Sequence, residues 1–268
     1  MSPTAQALAR TYSDREYPDP WQKVLDYRRV REYAAEHPKH GRTRVGNALD
    51  LPPGRVRGWL DGSTPDSVRG IQTAIGHGWL DPDEATTAAF VDLLAHVLAG
   101  GSINDTFVPA IAVDDSVTTD EVRSVFETLD IGILTRNSDV DNRATEVVPA
   151  GDASVLGRCL VAIGAPVGEK AGLDSFPQIV WDVPKPVRES FARIYVSHRA
   201  LTYETKDTRV IQEDRSRAYL DDLRDVLTDV TGEPVSVGDG RVTISAAAAR
   251  RLAESDHSSS VPSSSPAR

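Results

Sequence analysis

Four arginines in one short basic stretch have the residue type and the spacing to contact a nucleic acid. Arg42, Arg44, Arg55 and Arg57 lie within GRTRVGNALDLPPGRVRGWLDG, residues 41–62. A guanidinium group is always charged, and its rigid set of donors matches phosphate oxygens and the major-groove edge of guanine. We predict that Arg55 and Arg57 reach base edges or phosphates. Arg42 and Arg44 are placed for phosphate contacts, which position a protein without reading sequence.

The elements that position these arginines are short helices in a small all-α domain. Apolar periodicity, prolines and glycines predict them, between residues 21 and 80, at residues 21–36, 42–49, 53–60 and 67–75. Two short helices joined by a tight turn are typical of a helix-turn-helix, and the stretch resembles that motif of transcription regulators and resolvases. The resemblance implies a core of Val45, Ala48, Leu49, Val56, Trp59 and Leu60. The alternative is a solvated helical hairpin whose arginines face only water.

The charge of the chain is divided unevenly. The 268 residues carry a net charge of −10, yet residues 21–80 carry ten Lys/Arg against six Asp/Glu, and residues 81–180 carry five against seventeen. A basic segment is therefore attached to an acidic body. The sequence contains no run of 18 apolar residues, no secretory leader and one cysteine, Cys159, so we expect a cytoplasmic protein with no membrane partner. Both polar ends, residues 1–20 and 255–268, are predicted to be disordered.

The acidic body, residues 81–254, contains an internal repeat. Helix and strand patterns in the order α-β-β-α-β-β-α occur over residues 83–163 and again over residues 186–254, about 98 residues later. The predicted strands cover residues 106–113, 132–135, 143–148, 200–203, 208–211, 234–237 and 241–244. We therefore predict an α+β fold, in which one pseudo-symmetric domain with two sheets side by side is preceded by the small all-α domain.

Two stretches of this body resemble the motif helices of the LAGLIDADG homing endonucleases. The first is FVDLLAHVLAGGSIN at Phe90–Asn104, followed by the strand FVPAIAVDD, and the second is SFARIYVSHRAL at Ser190–Leu201. The segment between them, which begins GAPVGEK at Gly164, resembles the family's connector. The resemblance implies a saddle of two sheets that lies along DNA. Its combination with a helix-turn-helix is similar to the WhiA-type transcription regulators, although there the helix-turn-helix lies at the other end of the chain.

The catalytic positions of that family are degenerate in this sequence. The resemblance implies one acidic side chain at the end of each motif helix, where the pair binds divalent metal over the scissile phosphate. Those positions fall on Gly100 and His198. Glycine has no side chain and histidine is a poor magnesium ligand, so we expect no catalytic residue, no bound metal and no cofactor. The nearby carboxylates Asp92, Asp105 and Glu204 are the alternative ligands, and His198 is either a polar residue of the helix seam or a general base.

The resemblance also implies DNA contacts from basic residues on or beside the saddle strands. These residues are Arg136, Arg143, Arg199, Lys206, Arg209 and Arg241. Four aspartates of the first half, Asp114, Asp115, Asp139 and Asp141, oppose close approach to phosphates. We therefore expect the first half to have a structural or partner-binding role.

Together these features predict a sequence-specific DNA-binding protein that is not an enzyme. We expect a transcriptional regulator on an inactive homing-endonuclease scaffold, with double-stranded DNA and the transcription machinery or another protein as partners. The alternatives are a replication-origin or protein-partner adaptor and an active magnesium-dependent homing endonuclease. Five lysines against 25 arginines and 27 aspartates are typical of a halophilic archaeon, or of a GC-rich bacterium. In molar salt the Debye length is only ~3 Å, so the acidic body would not repel DNA at a distance.

Overall fold

A computed structural model describes residues 2–138, 140, 142–203 and 206–258 of the chain. The chain divides into two compact units, Ser2–Asp81 and the part from Pro82 onward. This division falls one residue after the boundary predicted between residues 80 and 81. None of the described helices has both the length and the apolar character needed to cross a membrane.

The described residues of the N-terminal unit form helices and no strands. These are α1 (Ala5–Arg10), α2 (Pro20–Glu36), α3 (Arg42–Leu49), α4 (Pro53–Leu60) and α5 (Asp66–Gly76). Its core contains Tyr17, Val30, Val45, Val56 and Trp59, and the Trp59 ring meets Tyr27 edge-on at 5.8 Å. Leu49 and Leu60 pack against this core. Ala48, which was predicted in the core, is exposed, because it lies on the side of α3 away from α4 and α2.

The prediction of a disordered N-terminus is wrong for residues 2–20. Helix α1 begins after Thr4, whose hydroxyl accepts a hydrogen bond from the backbone N–H of Ala7, and it buries Leu8 and Ala9 completely. The segment packs on α2 and α5. Its few apolar side chains show no periodicity in sequence, yet the other helices cover them, and this burial offsets the entropy of ordering the segment.

The junction of α3 and α4 is fixed by backbone geometry. Asp50 ends α3 in the left-handed region at φ 56°, and the N–H of Leu51 bonds to the carbonyl of Gly46 at 2.9 Å. A Cβ atom at Gly46 would lie 2.6 Å from the Leu51 oxygen, so the close return of the chain requires glycine there. Pro53 then begins α4 at a position that needs no N–H donor.

The C-terminal unit repeats one order of elements twice. The first half contains α6 (Glu84–Gly100), β1 (Gly101–Ile103), β2 (Pro109–Val113), α7 (Thr119–Thr128), β3 (Ile133–Arg136), β4 (Thr145–Pro149) and α8 (Ala153–Ala162). After the short helix α9 (Ile179–Asp182), the second half contains α10 (Lys185–Arg199), β5 (Ala200–Tyr203), β6 (Lys206–Gln212), α11 (Arg217–Thr231), β7 (Val235–Gly238), β8 (Arg241–Ile244) and α12 (Ala246–Ser258). Each half forms a four-stranded antiparallel sheet, in the orders β1-β2-β4-β3 and β5-β6-β8-β7. The predicted α+β fold class is confirmed.

Two details of the first half differ from prediction. The strand expected over 106–113 is a pair, β1 and β2, joined at Asn104, whose carboxamide oxygen accepts from the N–H groups of Thr106 and Val108 at 3.0 and 2.9 Å. Strand β1 directly continues the apolar run of α6, so no change in periodicity marks it. Arg143 precedes β4 in a turn rather than lying in the strand, because Asn142 at φ 62° bends the chain there. The disorder predicted for residues 255–268 is corrected at its start, because α12 continues through Ser258. Residues 259–268 lie outside the described residues.

Helices α6 and α10 pack side by side and form the seam between the two halves. Helix α6 is buried around most of its circumference, including all residues from Leu93 to Ala99. A helix that is apolar all round must lie inside a core. Each seam helix passes straight into the edge strand of its own sheet, Gly100 into β1 and Arg199 into β5. The seam therefore fixes the position of the two sheets.

Candidate nucleic-acid interface

Three of the four predicted helix-turn-helix arginines are open to solvent. Arg42 and Arg44 are exposed in the first turn of α3. Arg57 is exposed on α4, where it makes a 3.4 Å ion pair with Asp61 whose partners are both about two-thirds accessible. Such a surface ion pair contributes little to stability, and another anion can easily replace its carboxylate. These three guanidinium groups are therefore available to phosphates.

Arg55 is engaged inside the N-terminal unit, contrary to its predicted place on the exposed side of α4. Its guanidinium pairs with Glu16 at 3.2 Å, donates to the Tyr17 hydroxyl at 3.1 Å and lies 4.5 Å from the Tyr17 ring centroid. Burial and the neighbouring Asp26 raise the pKa of Tyr17 to about 12, so the phenol stays protonated and donates to Asp26 at 3.0 Å. The N-terminal segment thus holds Arg55 in place. Sequence reasoning missed this contact because the segment was assigned to disorder.

The strand register sorts the basic residues of the second sheet between its two faces. Arg209 pairs with Ile244, and Ile211 pairs with Val242, so these four side chains lie on the same face of the sheet. The three apolar side chains of this face are buried, and α12 packs on it. Arg209 therefore lies on the helix-covered side, and its assignment to the DNA-facing side is corrected. The sequence predicted the strand, but the face depends on the register.

The opposite face of the second sheet carries hydroxyl, amide and cationic side chains. In the described strand residues, Lys206, Gln212 and Arg241 are exposed there, with Gln212 directly opposite Arg241. The other members of this face are Leu201, Thr208, Val210, Thr243 and Ser236. No carboxylate belongs to the face within the described strands. Its chemistry suits a polyanion although the chain as a whole is acidic.

The first sheet presents a different surface. Arg136 is exposed but stands opposite Glu146 on the neighbouring strand, and on the same face Leu134 is 55% exposed opposite Val148. Arg143 is exposed in the turn before β4. Both sheets expose one leucine on this side, Leu134 and Leu201, but here Glu146 balances the charge of Arg136. This face therefore suits phosphates less well than the second sheet does, where the described strands have no carboxylate on the open face. Asp139 and Asp141 of the predicted acidic group lie outside the described residues.

At the end of the seam, the two degenerate positions touch. A Cβ atom on Gly100 would lie 2.0 Å from Nδ1 of His198, and Nε2 of His198 is 2.8 Å from Nδ1 of His96 on α6. Burial lowers the pKa of His96 to about 3 and, against the raising effect of Asp114, the pKa of His198 to about 4. Both rings are therefore neutral near pH 7, one donating an N–H to the other. His198 is a half-buried seam residue, as one of the two predicted alternatives has it.

A lysine from the connector closes the C-terminal end of α6. Nζ of Lys170 donates to the carbonyl oxygens of Val97, Leu98 and Gly101 at 3.0, 3.2 and 2.7 Å. Arg215 donates to the same Leu98 oxygen at 2.6 Å. Cations are favourable at the negative end of a helix, where the last carbonyls lack partners. Burial, reinforced by the nearby Arg215, lowers the pKa of Lys170 to about 8. Lys170 ends the connector stretch GAPVGEK, and no pattern in the sequence predicts this role for it.

One buried carboxylate balances part of this positive charge. Glu213 pairs with Arg199 at 2.9 Å and with Arg215 at 3.1 Å, and it accepts a hydrogen bond from the Tyr195 hydroxyl at 2.9 Å. Its side chain is only 3% exposed. Arg199, which was predicted to contact DNA, is thus bound to Glu213 and to the Gln212 carbonyl, with 37% of its side chain still accessible.

The seam end does not fit the divalent metal that the family resemblance implies. Gly100 offers no ligand, and His198 bonds to His96. The charged side chains bonded at the end of α6 are three cations, Lys170, Arg199 and Arg215, and one carboxylate, Glu213. Asp114 and Glu121 act on His198 only electrostatically. A hard cation requires several anionic or neutral oxygen ligands. In the described part of the chain, no three His, Cys, Asp or Glu side chains come together to hold a metal. Of the alternative ligands, Asp92 lies two turns back along α6, Asp105 is exposed in the β1–β2 turn, and Glu204 lies outside the described residues.

Comparisons with known proteins find likeness in structure only. No protein-family model and no curated sequence matches the chain. One similar solved structure is the homing endonuclease I-WcaI bound to its DNA recognition sequence, at 10% identity and a TM-score of 0.45, covering 73% of this chain and 89% of that one. Another is full-length WhiA from Thermotoga maritima, at 12% identity and a TM-score of 0.41, covering 68% of this chain. The match spans 64% of the WhiA chain.

Proposed function

We propose that this protein binds double-stranded DNA through the helix-turn-helix formed by α3 and α4. The observation that carries the proposal is the exposure of Arg42, Arg44 and Arg57 on two helices held by one shared core. A pair of helices with a fixed turn is the arrangement that lets one helix enter the major groove while its neighbour contacts the backbone. Arg57 is the candidate for base contact, and Arg42 and Arg44 for phosphates.

The open face of the second sheet is proposed as a further DNA contact. Lys206 and Arg241 supply charge, while the hydroxyl and amide groups between them match donors and acceptors on a nucleic acid. Strands can lie in a groove as a ribbon. The first sheet, with Leu134 exposed and Arg136 opposite Glu146, is left for a structural or protein-binding role.

We infer that binding occurs without cleavage. The positions that hold the metal ligands in the resembling family here bring together His198, Lys170 and two arginines, which stabilise the seam rather than a bound cation. A DNA-binding protein without hydrolytic chemistry, acting in the cytoplasm, fits a transcriptional regulator. A replication-origin adaptor would use the same surfaces at one locus instead of many.

Selection from a random duplex library, followed by sequencing, tests the proposal with the full chain. We expect an enriched motif, and fluorescence anisotropy should show weaker binding at higher salt, because cationic contacts release counterions. Replacing Arg42, Arg44 and Arg57 together with alanine should abolish the enrichment, whereas Arg123→Ala, on an exposed turn of α7, should not. Absence of any enriched motif would contradict the proposal.

Two further measurements separate the functional alternatives. Incubating the selected duplex with the protein and Mg²⁺ should leave the DNA intact, and metal-dependent cuts would overturn the non-cleaving assignment. Chromatin occupancy in the source organism should show many promoter sites for a regulator. A single peak at a replication origin would favour the adaptor instead.

A further inference from the structure

An open cavity of about 420 Å³, lined by polar and apolar side chains alike, lies in the C-terminal unit beside the helix seam. It is formed by α6, α7, the chain just before α7, and α10. Its volume falls within the range of small-molecule sites. Because its walls come from both halves of the repeat, an occupant would contact both seam helices at once. None of the proposed DNA contacts involves this cavity.

One charged group that lines the cavity is Asp92 on α6. One carboxylate oxygen, Oδ1, is buried and has no hydrogen-bond partner within the described residues. The side chain bonds to Ser190 of α10, and Arg193 lies near enough to act on it electrostatically. Burial nevertheless dominates and raises the pKa of Asp92 to about 6. A buried carboxylate oxygen without a donor is an unsatisfied acceptor that a bound donor would fill.

The remaining lining groups favour a cation over an anion. Glu121 adds a second carboxylate at the edge of the cavity, although one of its oxygens already accepts from Thr118. Arg193 is the only cationic side chain among the described lining residues, and it has partners of its own. The hydroxyls of Ser116, Ser124 and Ser197 provide neutral acceptors and donors. The charged lining therefore comprises two carboxylates and one guanidinium.

We infer that this cavity binds a small organic molecule that carries a protonated amine. An ammonium group supplies three donors, which fit the free Asp92 oxygen together with a serine hydroxyl. The hydroxyl-rich wall accepts the polar remainder of such a molecule. By bridging α6 and α10, the bound amine holds the two halves together, so it raises the stability of the folded unit in proportion to its occupancy.

Isothermal titration calorimetry on the full chain tests this site with four amines: methylammonium, putrescine, spermidine and L-lysine. Acetate and glucose serve as ligands without an amine. The titrations are made at pH 8, where Asp92 is ionised, and in 1 M NaCl, which screens attraction to exposed carboxylates over more than ~3 Å. We expect at least one amine to bind with 1:1 stoichiometry and to raise the Tm, and neither acetate nor glucose to do so.

Two variants assign the binding to the cavity. Asp92→Asn should weaken it at least tenfold, and Ser124→Trp, introduced from an exposed position of α7 at the edge of the cavity, should block it sterically. The control Asp120→Asn removes a highly exposed carboxylate of the same helix and should bind as the wild type does. Failure of all four amines to bind, or binding by Asp92→Asn and Ser124→Trp equal to that of the wild type, would overturn the inference.

Discussion

The imidazole of His198 occupies the space that any side chain at Gly100 would need, because a Cβ atom there would lie 2.0 Å from Nδ1. These are the two positions at which the family resemblance implies acidic ligands. His198 is held in place by its 2.8 Å bond to His96. Hence an acidic residue cannot simply be restored at position 100. Glycine at position 100 and histidine at position 198 therefore depend on each other, because the imidazole fills the space beside the glycine.

Gly100→Ala should destabilise the C-terminal unit by about 1–3 kcal/mol, since the new methyl group displaces His198 from His96. The double variant Gly100→Ala/His198→Ala should lose less than the sum of the two single variants, with a coupling of about 1 kcal/mol or more. Urea unfolding of the C-terminal unit measures both. Gly172→Ala is the control, because no described atom lies within 4 Å of its Cβ. Strict additivity would show that the steric relationship is wrong.

The buried histidine pair should make stability fall with acid. The folded pKa values, about 3 for His96 and about 4 for His198, lie below the ordinary value of 6.5. At a pH between these folded values and 6.5, the unfolded chain therefore binds more protons than the folded chain does. This stability is fully present above pH 6.5 and is lost as the pH falls through about 4 for His198 and about 3 for His96. The variant His96→Gln/His198→Gln should flatten this part of the pH–stability curve. An unchanged slope would contradict the neutral pair.

Asp92 should make the stability fall as the pH rises, which is the opposite of the effect of the histidine pair. Its folded pKa of about 6 lies above the ordinary 3.8, so the folded state holds its proton more tightly, and stability is lost as the pH rises through 6. Asp92→Asn removes this penalty and should raise the free energy of unfolding by roughly 2–3 kcal/mol at pH 8, with little effect below pH 4. Unfolding in urea at both pH values checks it. Equal effects at the two pH values would contradict the raised pKa.

Lys170→Met should weaken the end of α6. The substitution keeps the length of the side chain but leaves the carbonyls of Val97, Leu98 and Gly101 without their common donor. We expect a loss of about 1–3 kcal/mol, as for buried acceptors that lose a charged partner. Hydrogen exchange should show faster opening of the last turn of α6. Lys185→Met, at an exposed position of α10, is the matched control and should change neither measurement.

Substitutions of the two arginines of α4 should affect different properties, DNA binding for Arg57 and stability for Arg55. Arg57→Ala should weaken binding of the selected duplex by about 1–3 kcal/mol, if it contacts a base, and leave the Tm unchanged. Arg55→Ala should lower the Tm of the N-terminal unit, because Glu16 and Tyr17 lose their partner. Fluorescence anisotropy measures the DNA affinity of both variants, and thermal unfolding measures their Tm. Equal effects of the two substitutions on binding at unchanged Tm would return Arg55 to the interface.

The sequence by itself determined most of the helices, though not α1 or α9, and it determined that the chain repeats. Helix α3 and helix α4 have the predicted bounds, since proline, glycine and apolar spacing act within a few residues. Most of the doubled order of helices and strands follows from periodicity in the same way, although β1, which continues the apolar run of α6, does not. The loss of acidic residues at Gly100 and His198 is also a property of the sequence alone.

Only the tertiary structure decided what these residues contact. The face of Arg209 depends on pairing with Ile244, the burial of Leu8 depends on helices that follow it in sequence, and Arg55 is held by a segment 39 residues away. The role of Lys170 appears only where its ammonium meets the end of α6. Local patterns encode secondary structure because backbone preferences act over a few residues. Contacts between distant segments are set by packing and strand register, which no short stretch of sequence contains.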